Sequence, residues 1–268
     1  MPEAVSRAEM KGVAANTVCD RFSDEGWVRT TVHVPRETEL TIHINQQPLV
    51  KILCTAAKLD CLVFGYLYAE EIISGLGDVT SIQVRVSEKE ALADVRLSNL
   101  AYELPTLRTL GCSGSAVFKN QGLQVDSELV VTPGEVLSLM KQFHEQMELY
   151  RLSGGVHTSA LADNKNLLVM AEDIGRHNTL NKIQGECLLR EISTRGRLLL
   201  TTGRISSEML LKAAKMQAPI VVSRHAPTKN AIMLAQDLGI ALVGQVKGDR
   251  LAVFIHPERL GCSINQYG

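Results

Sequence analysis

From Thr38 the chain alternates strictly, with Leu40, Ile42 and Ile44 on one side and Thr41, His43 and Asn45 on the other. Asn45-Gln46-Gln47-Pro48 then reads as a turn, and residues 49–54 as a returning strand, so the pattern predicts a hairpin. Between Lys58 and Ser74, Leu59, Leu62, Val63, Leu67 and Ile72 recur at helical spacing with Glu70 and Glu71 outside, and Gly75 stands where a glycine cap would end the helix. Two more alternating segments, 81–86 and 93–97, complete a strand-strand-helix-strand-strand unit that can close as a β-grasp-like sheet. Residues 1–25 show no sustained period and read as a loosely held arm. The small α+β domain is thus expected over 26–103. Pro105 and then Gly111-Cys112-Ser113-Gly114-Ser115 interrupt the pattern, which marks 104–125 as an interdomain loop.

The remainder, 126–268, repeats one motif. Thr132-Pro133-Gly134-Glu135 opens a helix to about Leu152, with Thr132 as cap, Pro133 at the first helical position and Glu135 closing a capping box. Three apolar strands follow, 167–171, 198–202 and 219–222. Each runs into a polar turn and a helix, capped in order by Asn178, Ser206 and Thr228, the last helix stopping at Gly239. Strands at 240–243 and 251–255 finish the chain. Apolar strands alternating with capped helices imply an α/β domain with a mostly parallel sheet covered on both faces.

Composition narrows the function. Lys and Arg total 28 against 29 Asp and Glu, a formal charge of −1, so any anion site has to be local, and no bulk attraction to nucleic acid or to lipid is available. No apolar run is long enough to span a membrane and the first residues do not form a signal peptide; a cytoplasmic protein is expected, without membrane insertion. The six cysteines, Cys19, Cys54, Cys61, Cys112, Cys187 and Cys262, include no C-x-x-C pair, and the zinc deaminase signature is absent, so no zinc is expected.

The candidate chemistry lies in the three strand-to-helix turns. Each carries an arginine, Arg176, Arg204 or Arg224, and two are followed by a histidine, His177 and His225. In an open parallel sheet such turns share one edge, so three guanidinium forks and three helix N-termini can face a common crevice suited to phosphates. The plain alternative has these arginines in solvent or paired with Glu172, Asp173 and Glu208. The glycine-rich stretch 153–160 fits neither the Walker pattern nor G-x-G-x-x-G. Cys112, flanked by glycine and small polar residues, is the approachable thiol, whereas Cys54, Cys61 and Cys187 fall within apolar patterns.

Four ordered blocks, Gly154-Gly155-Val156-His157, Glu172-Asp173-Ile174-Gly175-Arg176-His177-Asn178, Gly203-Arg204-Ile205-Ser206-Ser207-Glu208 and Ser223-Arg224-His225-Ala226-Pro227-Thr228, together with Gly65-Tyr66-Leu67-Tyr68-Ala69-Glu70, resemble the formate dehydrogenase accessory sulfurtransferase family, FdhD. The resemblance implies a C-terminal cytidine-deaminase-like three-layer domain that has lost its zinc, and a small N-terminal domain. It also implies that the protein takes persulfide sulfur from a cysteine desulfurase and passes it to a molybdenum or tungsten bis-molybdopterin guanine dinucleotide destined for formate dehydrogenase. On that basis Cys112 is the persulfide carrier and Arg176, Arg204 and Arg224 the phosphate clamps. His177, Gly203, Ser206 and Thr228 serve as pocket or cap donors, Asp173 as an orienting carboxylate or guanine acceptor, and Gly155, His157 and His225 complete the cofactor-binding set. A homodimer is expected. The family usually shows two cysteines separated by two residues in the interdomain loop; here Ser115 holds the downstream position and Thr109 the upstream one. The alternative function is a non-catalytic chaperone for a molybdopterin or guanine nucleotide.

Overall fold

The structure, a computed structural model, describes residues 13–98, 108–110 and 122–262. It begins with an antiparallel hairpin, β1 (Ala14–Ser23) and β2 (Gly26–Pro35). Residues 14–23, expected within a loose arm, are therefore a full strand. The pairing explains why the pattern hides it: Val18 stands opposite Thr31, Cys19 opposite Thr30 and Asp20 opposite Arg29. Neither face becomes consistently apolar, so no period of two develops.

The β-grasp-like unit forms as expected. β3 (Thr38–Ile44), β4 (Gln47–Cys54), β5 (Val79–Val86), β6 (Glu90–Leu97) and β7 (Arg108–Leu110) make a sheet in the order β5-β6-β3-β4-β7, with β3 and β6 parallel at its centre. Asn45 and Gln46 both take positive φ (47° and 72°) in the β3–β4 turn, which matches the twist of the two strands. β7 lies inside the stretch expected to be loop and adds in parallel to β4, Leu110 opposite Ile52. α1 (Leu59–Ala69) covers the sheet and ends before Gly75. Glu71 turns left-handed (φ 60°) and the Ile72 N–H returns to the Leu67 carbonyl at 2.9 Å, which swings Ile73 into the core.

In the second unit α2 (Pro133–Gln146) opens with the anticipated capping box, Glu135 N–H on Thr132 Oγ1 at 3.2 Å and Thr132 N–H on Glu135 Oε2 at 2.7 Å. The helix breaks at Met147 and restarts as α3 (Glu148–Ser153), because the Glu172 carboxylate accepts from Leu149 N–H (2.7 Å) and Tyr150 N–H (2.9 Å). β8 (His157–Ala162), β9 (Leu167–Asp173), β10 (Leu198–Thr201), β11 (Ile220–Ser223), β12 (Ala241–Lys247) and β13 (Arg250–Ile255) form a sheet in the order β13-β12-β11-β10-β8-β9. α4 (Arg176–Leu189), α5 (Ser207–Lys215) and α6 (Lys229–Leu238) pack on one face and α2 on the other.

The sheet is mixed. β10, β11 and β12 are parallel, but β8, within the stretch set apart for its glycines, threads between β10 and β9 antiparallel to both, and β13 is antiparallel to β12. Since β9 and β10 are each antiparallel to β8, they point the same way, and the carboxyl ends of β9, β10 and β11 meet at one edge as expected. The two units join through α1 and α4. A Cβ on Gly65 would overlap the Asn181 carbonyl, and one on Gly185 the Cys61 carbonyl, so the helices cross with their backbones in contact. Among the described residues no helix is long and apolar enough to cross a membrane.

Candidate functional site

The three arginine turns and the start of β8 converge on the carboxyl edge of the second sheet. Register places His157 opposite Asp173 and Thr201 opposite both Ser159 and Ser223. The turns are bound to one another. Thr202 N–H donates to the Thr158 carbonyl (2.9 Å), Arg224 N–H to the Thr201 carbonyl (3.4 Å) and Thr228 N–H to the Ile205 carbonyl (3.0 Å).

Beneath the edge runs a chain of buried hydroxyls. Thr179 Oγ1 donates to the Arg176 carbonyl (2.6 Å) and meets Ser159 Oγ at 2.7 Å; Ser159 Oγ donates to Thr201 Oγ1 (3.0 Å), which accepts from Gly203 N–H (3.0 Å). Ser223 Oγ then donates to the Gly203 carbonyl (2.8 Å) and accepts from His225 N–H (3.0 Å). One hydroxyl series thus fixes all three turns, and full pairing is what makes polar groups tolerable at such depth. Sequence reasoning passed over these residues. Their signal was the hydroxyl residue ending each apolar strand, Thr201 and Ser223, and the Thr158-Ser159 pair at the start of β8.

The arginines are uncommitted. Among the described residues no carboxylate pairs with Arg176, Arg204 or Arg224, and the carboxylates that the plain alternative required are engaged elsewhere: Glu172 at the start of α3, Asp173 with Lys182 (2.6 Å), and Glu208 3.2 Å from His177 Nε2. Arg204 and Arg224 are exposed. Arg176 is half-buried and arches over Gly203, where a Cβ would stand 3.0 Å from its own; its Nε is shielded from solvent and has no acceptor among the described residues. His157, half-buried, is held below the ordinary imidazole pKa first by desolvation and then by the Arg176 guanidinium nearby. The edge therefore sets guanidinium forks, geometrically matched to phosphoryl oxygens, around an imidazole whose pKa is lowered.

Other expected site residues take supporting places. Asp173 is fully buried: Oδ1 accepts from Gly175 N–H (2.8 Å) and Asn178 Nδ2 (2.8 Å), and Oδ2 from Thr55 N–H (3.0 Å), Thr55 Oγ1 (3.1 Å) and Lys182 Nζ. It orients the turn and has no face left for a guanine. Asn178, expected as a cap, lies inside α4 and bridges Asp173 to the Leu53 carbonyl (2.8 Å), leaving Gly175 as the N-cap. His177 is buried. Ser206 and Thr228 use their hydroxyls as caps of α5 and α6, on Met209 N–H (3.5 Å) and Ala231 N–H (3.2 Å). Gly155 packs against Pro35 of β2, 2.9 Å from where its Cβ would be. Cys54, Cys61 and Cys187 are buried, and desolvation first of all drives the Cys61 and Cys187 thiols up to about 12. Cys112 lies outside the described residues.

Fold and site together define a two-unit α/β protein with three arginine-bearing turns along one edge of its second sheet. Residues 35–261 match the FdhD/NarQ family, and the chain belongs to that family. The chain is 36% identical over 254 residues to the sulfur carrier protein FdhD of Halalkalibacterium halodurans, covering 89% of this chain and 92% of that one. It is 32% identical over 260 residues to the protein of the same name from Staphylococcus aureus, covering 93% and 97%. The fold is shared with the crystal structure of a candidate formate dehydrogenase accessory protein from Desulfotalea psychrophila, with a TM-score of 0.75, 24% identity, and 92% and 99% of the two chains covered.

Proposed function

We propose that this chain is a sulfur carrier that delivers persulfide sulfur from Cys112 to a bis-molybdopterin guanine dinucleotide, of molybdenum or tungsten, held by its pyrophosphates at the Arg176–Arg204–Arg224 edge. The two relatives named above are sulfur carrier proteins, and an edge of three arginines without carboxylate partners among the described residues suits a polyanionic substrate. The observation that carries the reading is the course of β7. It runs parallel to β4, toward the end where Thr55 meets Asp173, so the chain that leads in sequence to Cys112 is directed from the first unit toward the arginine edge.

In loading, the Cys112 thiolate attacks the terminal sulfur of a cysteine desulfurase persulfide; the donor S–S bond breaks and the desulfurase cysteine leaves as thiolate, with no net redox change. Release of that sulfur as sulfide needs two electrons. A second thiol supplies them by attacking Cys112 Sγ, forming a mixed disulfide as sulfide departs. With Ser115 at the downstream motif position, this thiol comes from outside the motif. The loaded cofactor then passes to formate dehydrogenase.

The test is the intact mass of the protein after incubation with a cysteine desulfurase and cysteine. A gain of one sulfur in the wild type, absent in Cys112→Ala, is expected. The Ser115 substitution favours one other reading, a cofactor chaperone in which Cys112 is incidental; that reading holds if Cys112→Ala supports formate dehydrogenase activity as well as the wild type does.

A further inference from the structure

The anion edge belongs to the second unit, yet one of its three turns is held from the first. Asp173 is the bridge. Its Oδ1 fixes the Gly175 N–H and the Asn178 side chain, which set the conformation leading into Arg176, while its Oδ2 receives the Thr55 backbone and hydroxyl and the Lys182 ammonium. Thr55 directly follows β4. Lys182 Nζ also reaches Thr55 Oγ1 (2.9 Å), the Thr55 carbonyl (3.2 Å) and the Glu172 carbonyl (3.2 Å), so the ammonium sits at the point where β4, β9 and α4 meet. Lys182, Asp173 and Thr55 are all fully buried. A buried ion pair with every lone pair engaged fixes geometry more than it adds stability. Apolar side chains would fill this seam without setting the direction of Gly175.

We infer that Thr55 and Lys182 are positioning residues for the anion edge: they hold the Asp173 carboxylate that orients the Gly175–Arg176 turn, so the edge is complete only while the two units are in contact. The inference rests on the reading of that edge as an anion site and adds a dependence on the first unit. Thr55 and Lys182 touch no substrate; they act through Asp173. The same contact brings the end of β4, and with it β7, to the edge where the anion is held.

The test is calorimetric titration of the full chain with inorganic pyrophosphate at neutral pH. Thr55→Val keeps the backbone N–H bond and removes the hydroxyl, and is expected to weaken binding about tenfold, the effect of losing one buried hydrogen bond. Thr55→Ser restores the hydroxyl and is expected to bind within about twofold of the wild type. Ile42→Val, a one-methylene cavity in the same unit, supplies a comparable loss of stability and is expected to leave affinity unchanged. Lys182→Met, where it folds, is expected to behave as Thr55→Val does. The inference is overturned if Thr55→Val binds like the wild type, or if Ile42→Val weakens binding equally. Absence of pyrophosphate binding in the wild type overturns the anion-site reading itself, and the inference with it.

Discussion

Helix α4 and the β1–β2 hairpin reverse the usual relation between side-chain chemistry and burial. α4 buries His177, Asn178, Thr179, Asn181, Lys182 and Gln184, whereas the hairpin exposes Val18, Phe22, Val28 and Trp27, the last at 73% of its surface. On α4 the polar groups have partners waiting on other elements: Asp173 and Thr55 for Lys182, the Leu53 carbonyl for Asn178, Lys212 for Asn181 at 2.7 Å. On the hairpin the aromatics have each other, with the rings of Phe22 and Trp27 5.1 Å apart. Hydropathy reports the preference of a side chain in isolation, and the fold decides by what it sets opposite.

The sharpest way to break this contrast is Lys182→Met, which leaves the Asp173 charge buried and is expected to lower the unfolding free energy by about 4 kcal/mol in urea titrations. A loss under about 1 kcal/mol, the range of an exposed pair, would show the seam to be solvated. Next is Gly185→Ala. Its methyl would press on the Cys61 backbone and is expected to cost about 2–3 kcal/mol by the same measurement, as overpacking does.

His157 lies between the two extremes, half-buried and with no carboxylate in an ion pair with it among the described residues. Its pKa is depressed in the folded protein, so the unfolded chain binds the extra proton first, and stability should rise with pH from the depressed value up to the ordinary imidazole range near 6.5. Thermal unfolding across that window is expected to show this slope, and His157→Gln to flatten it. A bound pyrophosphate favours the imidazolium, so binding should take up a proton, seen as a dependence of the binding heat on buffer ionisation enthalpy. The smallest effect belongs to Trp27→Ser, expected to change stability by less than about 0.5 kcal/mol. A larger loss would mean that the hairpin face is covered.

Much was legible in the sequence where one element's own pattern decides its structure. The β3–β4 hairpin, the caps at Thr132, Ser206 and Thr228, and the shared edge of the arginine turns follow from alternation, capping chemistry and the geometry of βα connections. What escaped depends on partners distant in the chain. Asn178 reads locally as a cap, and only Leu53 and Asp173 draw it inside the helix. Asp173 reads as a group facing a ligand and Glu172 as a partner for an arginine, and only Thr55 and the α3 amides reveal them as supports. β8 was obscured because its glycine-rich approach resembles a loop until β9 and β10 are placed on either side.

The glycine crossing of α1 and α4 has a bearing on dissection of the molecule. With Gly65 and Gly185 allowing main chain to touch main chain, each half supplies a surface that the other half alone can fill. Severed after β7, the downstream fragment would present Asn178, Lys182 and Gln184 to water on a helix with no polar periodicity to orient it, and the upstream fragment would lose the cover over α1. The halves are therefore expected to melt as a single cooperative block, and shuffling either against a distant relative would require both crossing helices to move together.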